Sequence, residues 1–331
     1  MDITKFTSKK FLVPGLIILI LIFLATFPLY GGGYYMRVLS TILMYVTLAV
    51  SWAMFSGPTG YMSLAPAAFL GVGIYLSSVF FSTSEVLLPL PAVIFIGALA
   101  SFILALIVGI ITLRLRGIYF AIFTFGLVVL LSELIMWIEI NLNEVSGRFP
   151  YLMDIEPIFY ITLAICVATL LTTYFIRRSR LGLALQSIGG NEEAAAHMGV
   201  NTTRVKIITF AISAAFMGAV GAITAPRLIY VSPHIAFDVG YSFLPVLMAV
   251  FGGMRQFYGP IIGALVLAFA EVRLRPLYPY YYMLSFGIIL IIIIFFLPAG
   301  LVGLIQKLQD RLGGLLSKLR KGGKAEQHAN T

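Results

Sequence analysis

A chain of 331 residues with 60% hydrophobic and 11% charged residues cannot keep the surface of a soluble fold wet, since globular chains carry about 25% charged residues. The formal net charge of +9 then concerns membrane orientation and anionic lipid well ahead of nucleic acid. Apolar runs of about 15 to 25 residues predict helical spans, because barrel strands alternate over about 10 residues; the fold class expected is an all-α integral membrane protein.

In chain order, ten apolar segments bounded by glycine, proline or charge stand at 12–30, 38–56, 61–81, 91–113, 117–138, 157–176, 206–226, 239–253, 257–272 and 280–298. The first follows Lys5, Lys9 and Lys10 in the manner of a signal peptide. Its apolar stretch runs from Phe11 to about Phe27 with no A-x-A site, and further spans follow, so it reads as a retained helix. The eighth and ninth are short for a hydrocarbon core of about 30 Å. They read as two short spans or as a re-entrant hairpin, and either way the chain returns to one side. About ten transmembrane helices are expected, eight to ten depending on that hairpin.

Placing both termini in the cytoplasm puts Lys5, Lys9, Lys10, Arg114, Arg116, Arg177, Arg178, Arg180, Arg204, Lys206, Arg255, Lys307, Arg311, Lys318, Arg320, Lys321 and Lys324 inside. Only Arg37, Arg148, Arg227, Arg273 and Arg275 then lie outside. This asymmetry obeys the positive-inside rule and the reverse orientation violates it. The expected division is a permease domain over 1–305, with an inner loop at 177–206, and a basic cytoplasmic tail over 306–331. In the tail, Leu301, Leu304, Ile305, Leu308, Leu312, Leu315, Leu316 and Leu319 recur at helical spacing among Lys and Arg. That pattern predicts an amphipathic helix on the anionic inner leaflet, with partner binding as the alternative.

Enzymatic readings find little support. Cys166, the one cysteine, sits in an apolar run and excludes an internal disulfide. His197, His234 and His328 have no metal-ligand spacing. No Walker A motif occurs, because Gly323-Lys324 lacks both the upstream glycine and the following Ser or Thr. The inner segment 177–206 is too short for a catalytic domain. No catalytic residue, metal or cofactor is expected of the chain itself.

Within that inner loop, Asn191 is a good N-cap, Glu192 and Glu193 suit the positive end of a helix dipole, three alanines favour helix, and Gly199 suits the left-handed C′ position. A helix of about two turns over 192–198 is expected. Alone it is too short to be stable, so it packs either on its own chain or in a cytosolic partner. Near the second span, Ser63 and Pro66 mark a second candidate. Pro66 breaks or kinks a helix, and freed backbone at membrane depth requires protein or a wet cavity around it. The pair lines a translocation path on one reading and serves close helix packing on the other. Glu133, one turn from Trp137, costs about 2.5–3.5 kcal/mol at mid-membrane and is expected to face the bundle interior. Its readings are a coupling site on the one hand and interhelical hydrogen bonding or an outer-leaflet position on the other. A weak echo of Ala67-Ala-Phe-Leu-Gly71 in Ala214-Ala-Phe-Met-Gly218 suggests packing more than a repeat.

Several of these stretches carry a family resemblance. Glu193-Ala194-Ala195 followed by Gly199 resembles the EAA-x3-G loop of ABC importer permeases. Arg114 to Thr124 resembles the RLRG-x-Y/F-A-x2-T segment of the branched-chain amino acid (Liv-type) branch, and more closely of its M subunit. Gly60 to Ala65 and Ala68 to Tyr75 resemble its GY-x-SL and AFFGIGAY stretches. Val231-Ser-Pro233, Ser242-Phe243, Gly252-Gly253, Gly259-Pro260 and Pro298 to Leu301 follow in the family's order. The resemblance spans about 50–305. One segment departs: Asn141 to Pro150 stands where the family shows TGG-x-x-G. The resemblance implies an ATP-driven importer subunit forming half of a pathway for branched-chain amino acids or a related small polar solute. It also implies a second permease, two cytosolic ATPases that bind the ATP, an extracytoplasmic solute-binding protein and a place in the cell membrane. Asn191, Glu192, Glu193, Ala194, Ala195 and Gly199 would form the ATPase-coupling loop. An ion-coupled carrier using Glu133 is the alternative.

Overall fold

The computed structural model describes residues 23–30, 32–82, 85–86, 88–115, 117–143, 147–278, 281–296 and 300–303. The expected first span over 12–30 therefore lies mostly outside the described residues, as does the amphipathic tail over 306–331. Twelve α-helices are named in chain order: α1 (Gly33–Thr59), α2 (Pro66–Phe80), α3 (Leu90–Thr112), α4 (Ile118–Asn143), α5 (Ile155–Arg178), α6 (Arg180–Gly190), α7 (Glu192–His197), α8 (Thr202–Thr224), α9 (Pro233–Ala236), α10 (Gly240–Gly252), α11 (Gly259–Leu277) and α12 (Tyr282–Phe296). Among the described residues, extended pairing amounts to Phe81–Ser82 with Glu85–Val86 and one bridge between Arg148 and Val231. Among the described residues, six helical segments are long and apolar enough to cross a membrane.

Burial separates these helices into a core and a rim. The apolar window of α1 is 83% buried and that of α8 72%, against 28% for α3 and for α4 and 33% for α5. Small residues let the central helices touch backbone to backbone, as helix association within lipid favours. A Cβ on Gly73 of α2 would strike the carbonyl of Gly218 in α8, and one on Gly218 would strike Gly97 and Ser101 of α3. The short alanine-glycine echo between α2 and α8 thus has a packing cause. Both of its glycines are sites a Cβ would fill: Gly71 against Phe237 and Gly218 against α3.

Helix α1 stops at Gly60, whose φ of +74° is a left-handed cap. The chain then runs without helix to Ala65, and α2 starts at Pro66. Proline is at home in a first turn, where its missing N–H has no helical partner to lose. The third expected span, 61–81, is thus corrected to a 15-residue helix, about 22 Å long, preceded by an irregular strap.

The α10–α11 pair resolves the short eighth and ninth segments. Their close seam runs through Gly252 and Gly263, where a Cβ would meet the carbonyls of Gly259 and Met248. The turn between them reaches Arg177, whose guanidinium donates to the carbonyls of Arg255 (3.1 Å) and Met254 (3.4 Å). The far ends of the pair bring Tyr241 and Arg275 to the same cavity as Arg37 and Arg227. The pair therefore extends from the Arg177 contact to that cavity.

Candidate functional site

One end of the bundle carries the predicted coupling loop. Helix α6 lies against the end of α1, so close that a Cβ on Gly189 would strike the Pro58 carbonyl. Asn191 closes α6 and opens α7: its Oδ1 accepts from the backbone N–H groups of Glu193 (3.0 Å) and Ala194 (3.1 Å). The far end of α7 is tied by Val200 N–H to the Ala195 carbonyl and Gly199 N–H to the Ala196 carbonyl. Gly199 sits at φ +86°. The expected helix 192–198 is thus present as Glu192–His197 with the predicted caps.

The two faces of α7 differ in a way that the sequence did not separate. Ala195 is buried against its own chain. Glu193, Ala194, Ala196, His197 and Met198 are exposed, Met198 by 83%. Of the two alanines expected to admit a partner, only Ala194 is open to one; Ala195 seats the helix.

Glu192 also turns inward. Its Oε1 lies 2.6 Å from Lys206 Nζ, and its Oε2 accepts from the Tyr61 hydroxyl at 2.6 Å. Lys206 is buried in α8. Besides Glu192 it donates to the Leu113 carbonyl (3.0 Å) and the Tyr61 hydroxyl (3.1 Å), and its ammonium lies 4.6 Å from the centre of the Tyr61 ring. A buried ammonium needs this full set of acceptors, because desolvation without them is costly. The set joins α7, α8, the end of α3 and the strap after α1. The sequence marks Lys206 only as a positive charge of the inner set. Its partners lie at sequence separations of 14 to 145 residues, beyond any local pattern.

Tyr61 begins the strap that carries Ser63. Ser63 and Ala65 of the strap are buried while Met62 is exposed, and side chains satisfy its backbone. Trp52 Nε1–H donates to the Ser63 carbonyl (2.7 Å), Leu64 N–H to Thr124 Oγ1 (2.9 Å), and Ser242 Oγ–H to the Leu64 carbonyl (2.8 Å). Ser242 Oγ in turn accepts from Ala67 N–H (3.0 Å). This meets the rule that non-helical backbone at membrane depth must be held by protein. Phe55, Phe69, Phe120 and Phe210 pack beneath it, with Phe55 and Phe210 5.1 Å apart. Ser63 and Pro66 line a void of about 10 Å³, room for about one water and none for a solute.

At the opposite end, Glu133 is exposed on α4, as is Trp137. The expectation that Glu133 faces the interior of this chain is corrected. The buried acid of α4 is Glu139. It accepts from the Tyr75 hydroxyl (2.7 Å) and Gly147 N–H (2.9 Å), and lies 3.4 Å from Arg148 Nε in an ion pair without hydrogen-bond geometry. The departing segment at 141–150 is thus anchored by Glu139. A second buried acid, Glu271, pairs with Arg275 one turn along α11 at 3.2 Å.

A multi-pass helical bundle, with a buried hydrogen-bonded helix break and a capped helix projecting from one end, has the parts of a membrane permease. Comparison with known proteins gives the class a family. The model of "Branched-chain amino acid transport system / permease component" matches residues 34–294, and the chain belongs to that family. The high-affinity branched-chain amino acid transport system permease protein LivM of Escherichia coli is 24% identical, covering 89% of this chain and 79% of the relative. LivH of the same organism is 34% identical over 41% of this chain and 44% of the relative. The ribose import permease protein RbsC of Haemophilus influenzae is 24% identical over 41% of this chain and 43% of its own length. No solved structure matches.

Proposed function

We propose that the chain forms half of the translocation pathway of an ATP-driven importer in the cell membrane. In this reading it pairs with a second permease, docks two cytosolic ATPases through α7, and receives solute from an extracytoplasmic binding protein. It spans the membrane about ten times with both termini in the cytoplasm and needs no cofactor of its own, ATP being held by the partner ATPases. Branched-chain amino acids are the solute that LivM and LivH favour as relatives. The kinship to a ribose permease is a reason to test that assignment directly.

One observation carries the reading: α7 is open on one face and wired to the helix break on the other. A helix of six residues is not stable alone, so its order comes from its caps and its packed face, leaving Ala194 and Met198 for a partner groove. Movement of α7 by an ATPase would pull on Glu192, and through Lys206 and Tyr61 on the strap holding Ser63 and Pro66. Packed elements of this kind switch between discrete arrangements and do not deform continuously. Among the described residues Glu133 has none of the ion-pair partners of a coupling site, so the carrier alternative has weaker support.

The test is Ala194→Trp, on the open face of α7. The variant inserts at normal levels, fails to co-purify ATPase and loses ATP-dependent uptake. Retention of both with a tryptophan at 194 refutes docking through α7.

A further inference from the structure

At the end of the bundle away from α7 lies a cavity of about 400 Å³, within the range of about 300–1,000 Å³ typical of small-molecule sites. Its walls come from the first turns of α1 and α5, the end of α8, and the far ends of α10 and α11. Arg37, Arg227 and Arg275 all line it, with Met44, Ile158 and Leu228 among its apolar surfaces.

The three arginines are not equivalent. Arg275 is paired with Glu271. Arg227 is half-buried, and its Nη2 donates to two uncharged acceptors, Thr41 Oγ1 (2.7 Å) and the Arg37 carbonyl (3.3 Å). Among the described residues no carboxylate stands in ion-pair contact with Arg37 or Arg227. A guanidinium has five N–H donors in a fixed fork matched to a carboxylate. Holding a half-buried charge on neutral acceptors has a desolvation cost that an incoming anion would offset.

We propose that this cavity is a binding subsite for a small solute with a carboxylate and an apolar body, the carboxylate meeting Arg227 and Arg37. The apolar body lies on the Met44, Ile158 and Leu228 wall. The assignment rests on the proposed transport role and gives its solute a place in the fold.

Ile229 is 74% exposed at the rim of the cavity. Ile229→Cys in a Cys166→Ala background, in the full chain held in lipid nanodiscs, reports occupancy by its rate of maleimide labelling. Two probes share a branched apolar body: 4-methylpentanoate is an anion at neutral pH, and 3-methylbutylamine is a cation. Near-saturating 4-methylpentanoate is expected to slow labelling about tenfold, and the amine to leave it unchanged. Arg227→Gln abolishes the protection at an unaltered basal labelling rate, and Arg227→Lys, which keeps the charge but not the fork, retains part of it. Should Arg227→Gln fail to fold, Arg37→Gln at the exposed cation is expected to weaken protection in the same direction. Equal protection by the amine, protection by neither probe, or undiminished protection in both Arg→Gln variants overturns the site. Protection that persists when uptake proves independent of ATP upholds the site and removes the transport mechanism, whereas ATP-driven uptake without protection does the reverse.

Discussion

Glu133 and Glu139 stand on one helix and meet opposite surroundings. Six residues are about 240° of helical rotation, so an acid on the rim of α4 and an acid in its core are consistent with one straight helix. Glu133 is exposed in this chain; Glu139 accepts from Tyr75 and Gly147 and pairs with Arg148. Glu133→Gln is expected to leave ATP-driven uptake within a few-fold of wild type. Glu139→Gln presents an amide N–H where a donor already points, and is expected to cost about 1–3 kcal/mol. Thermal unfolding of the two variants in detergent checks the pair, and equal melting temperatures would contradict the structural role given to Glu139.

At the scale of elements, the strap between α1 and α2 meets α7 through one buried lysine. Lys206 holds Glu192, Tyr61 and the Leu113 carbonyl together. Lys206→Gln removes the charge and shortens the reach, so α7 stays docked on its caps and Ala195 but loses its hold on the strap. Uptake is expected to fall about tenfold or more, since hydrogen bonds to charged groups are worth about 1.5–3 kcal/mol and about 1.4 kcal/mol is a factor of ten. ATPase co-purification should persist, with ATP hydrolysis no longer stimulated by solute. Normal uptake by this variant would show that motion reaches the strap by another route.

At the scale of the whole molecule, described members of the two sets of basic residues fall at opposite ends of the bundle. Arg177, on the Arg255 carbonyl, and Lys206, on Glu192, stand at the end that carries α7, while Arg37, Arg227 and Arg275 gather around the cavity at the other. On the proposed reading, the positive-inside rule would put α7 in the cytoplasm. Single cysteines at Asn201 and Asn143, in a Cys166→Ala background, are expected to react with an impermeant maleimide from opposite sides of sealed vesicles, Asn143 from outside. Labelling of both from outside would overturn the topology and, with it, docking through α7.

Long apolar runs determined the membrane class and, to within a few residues, most of the spans, because lipid imposes its demand on each segment separately. Asn191, Gly199 and the acids between them determined α7 in the same local way, since a cap is made by residues two to four apart. Pro66 announced a break without placing it, because a proline that would kink a helix interior also opens a helix well. What only the tertiary structure decided was which polar group meets which. Lys206 finds Tyr61 and Glu192, Glu139 replaces Glu133 as the buried acid, Ala195 turns inward while Ala194 does not, and Arg227 joins Arg37 and Arg275 around one cavity. Each of these depends on how a helix is rotated against its neighbours. In this chain the hydrophobic pattern is nearly uniform around helices such as α4 and α12, so that rotation was set by glycine contacts and hydrogen bonds between segments far apart in sequence.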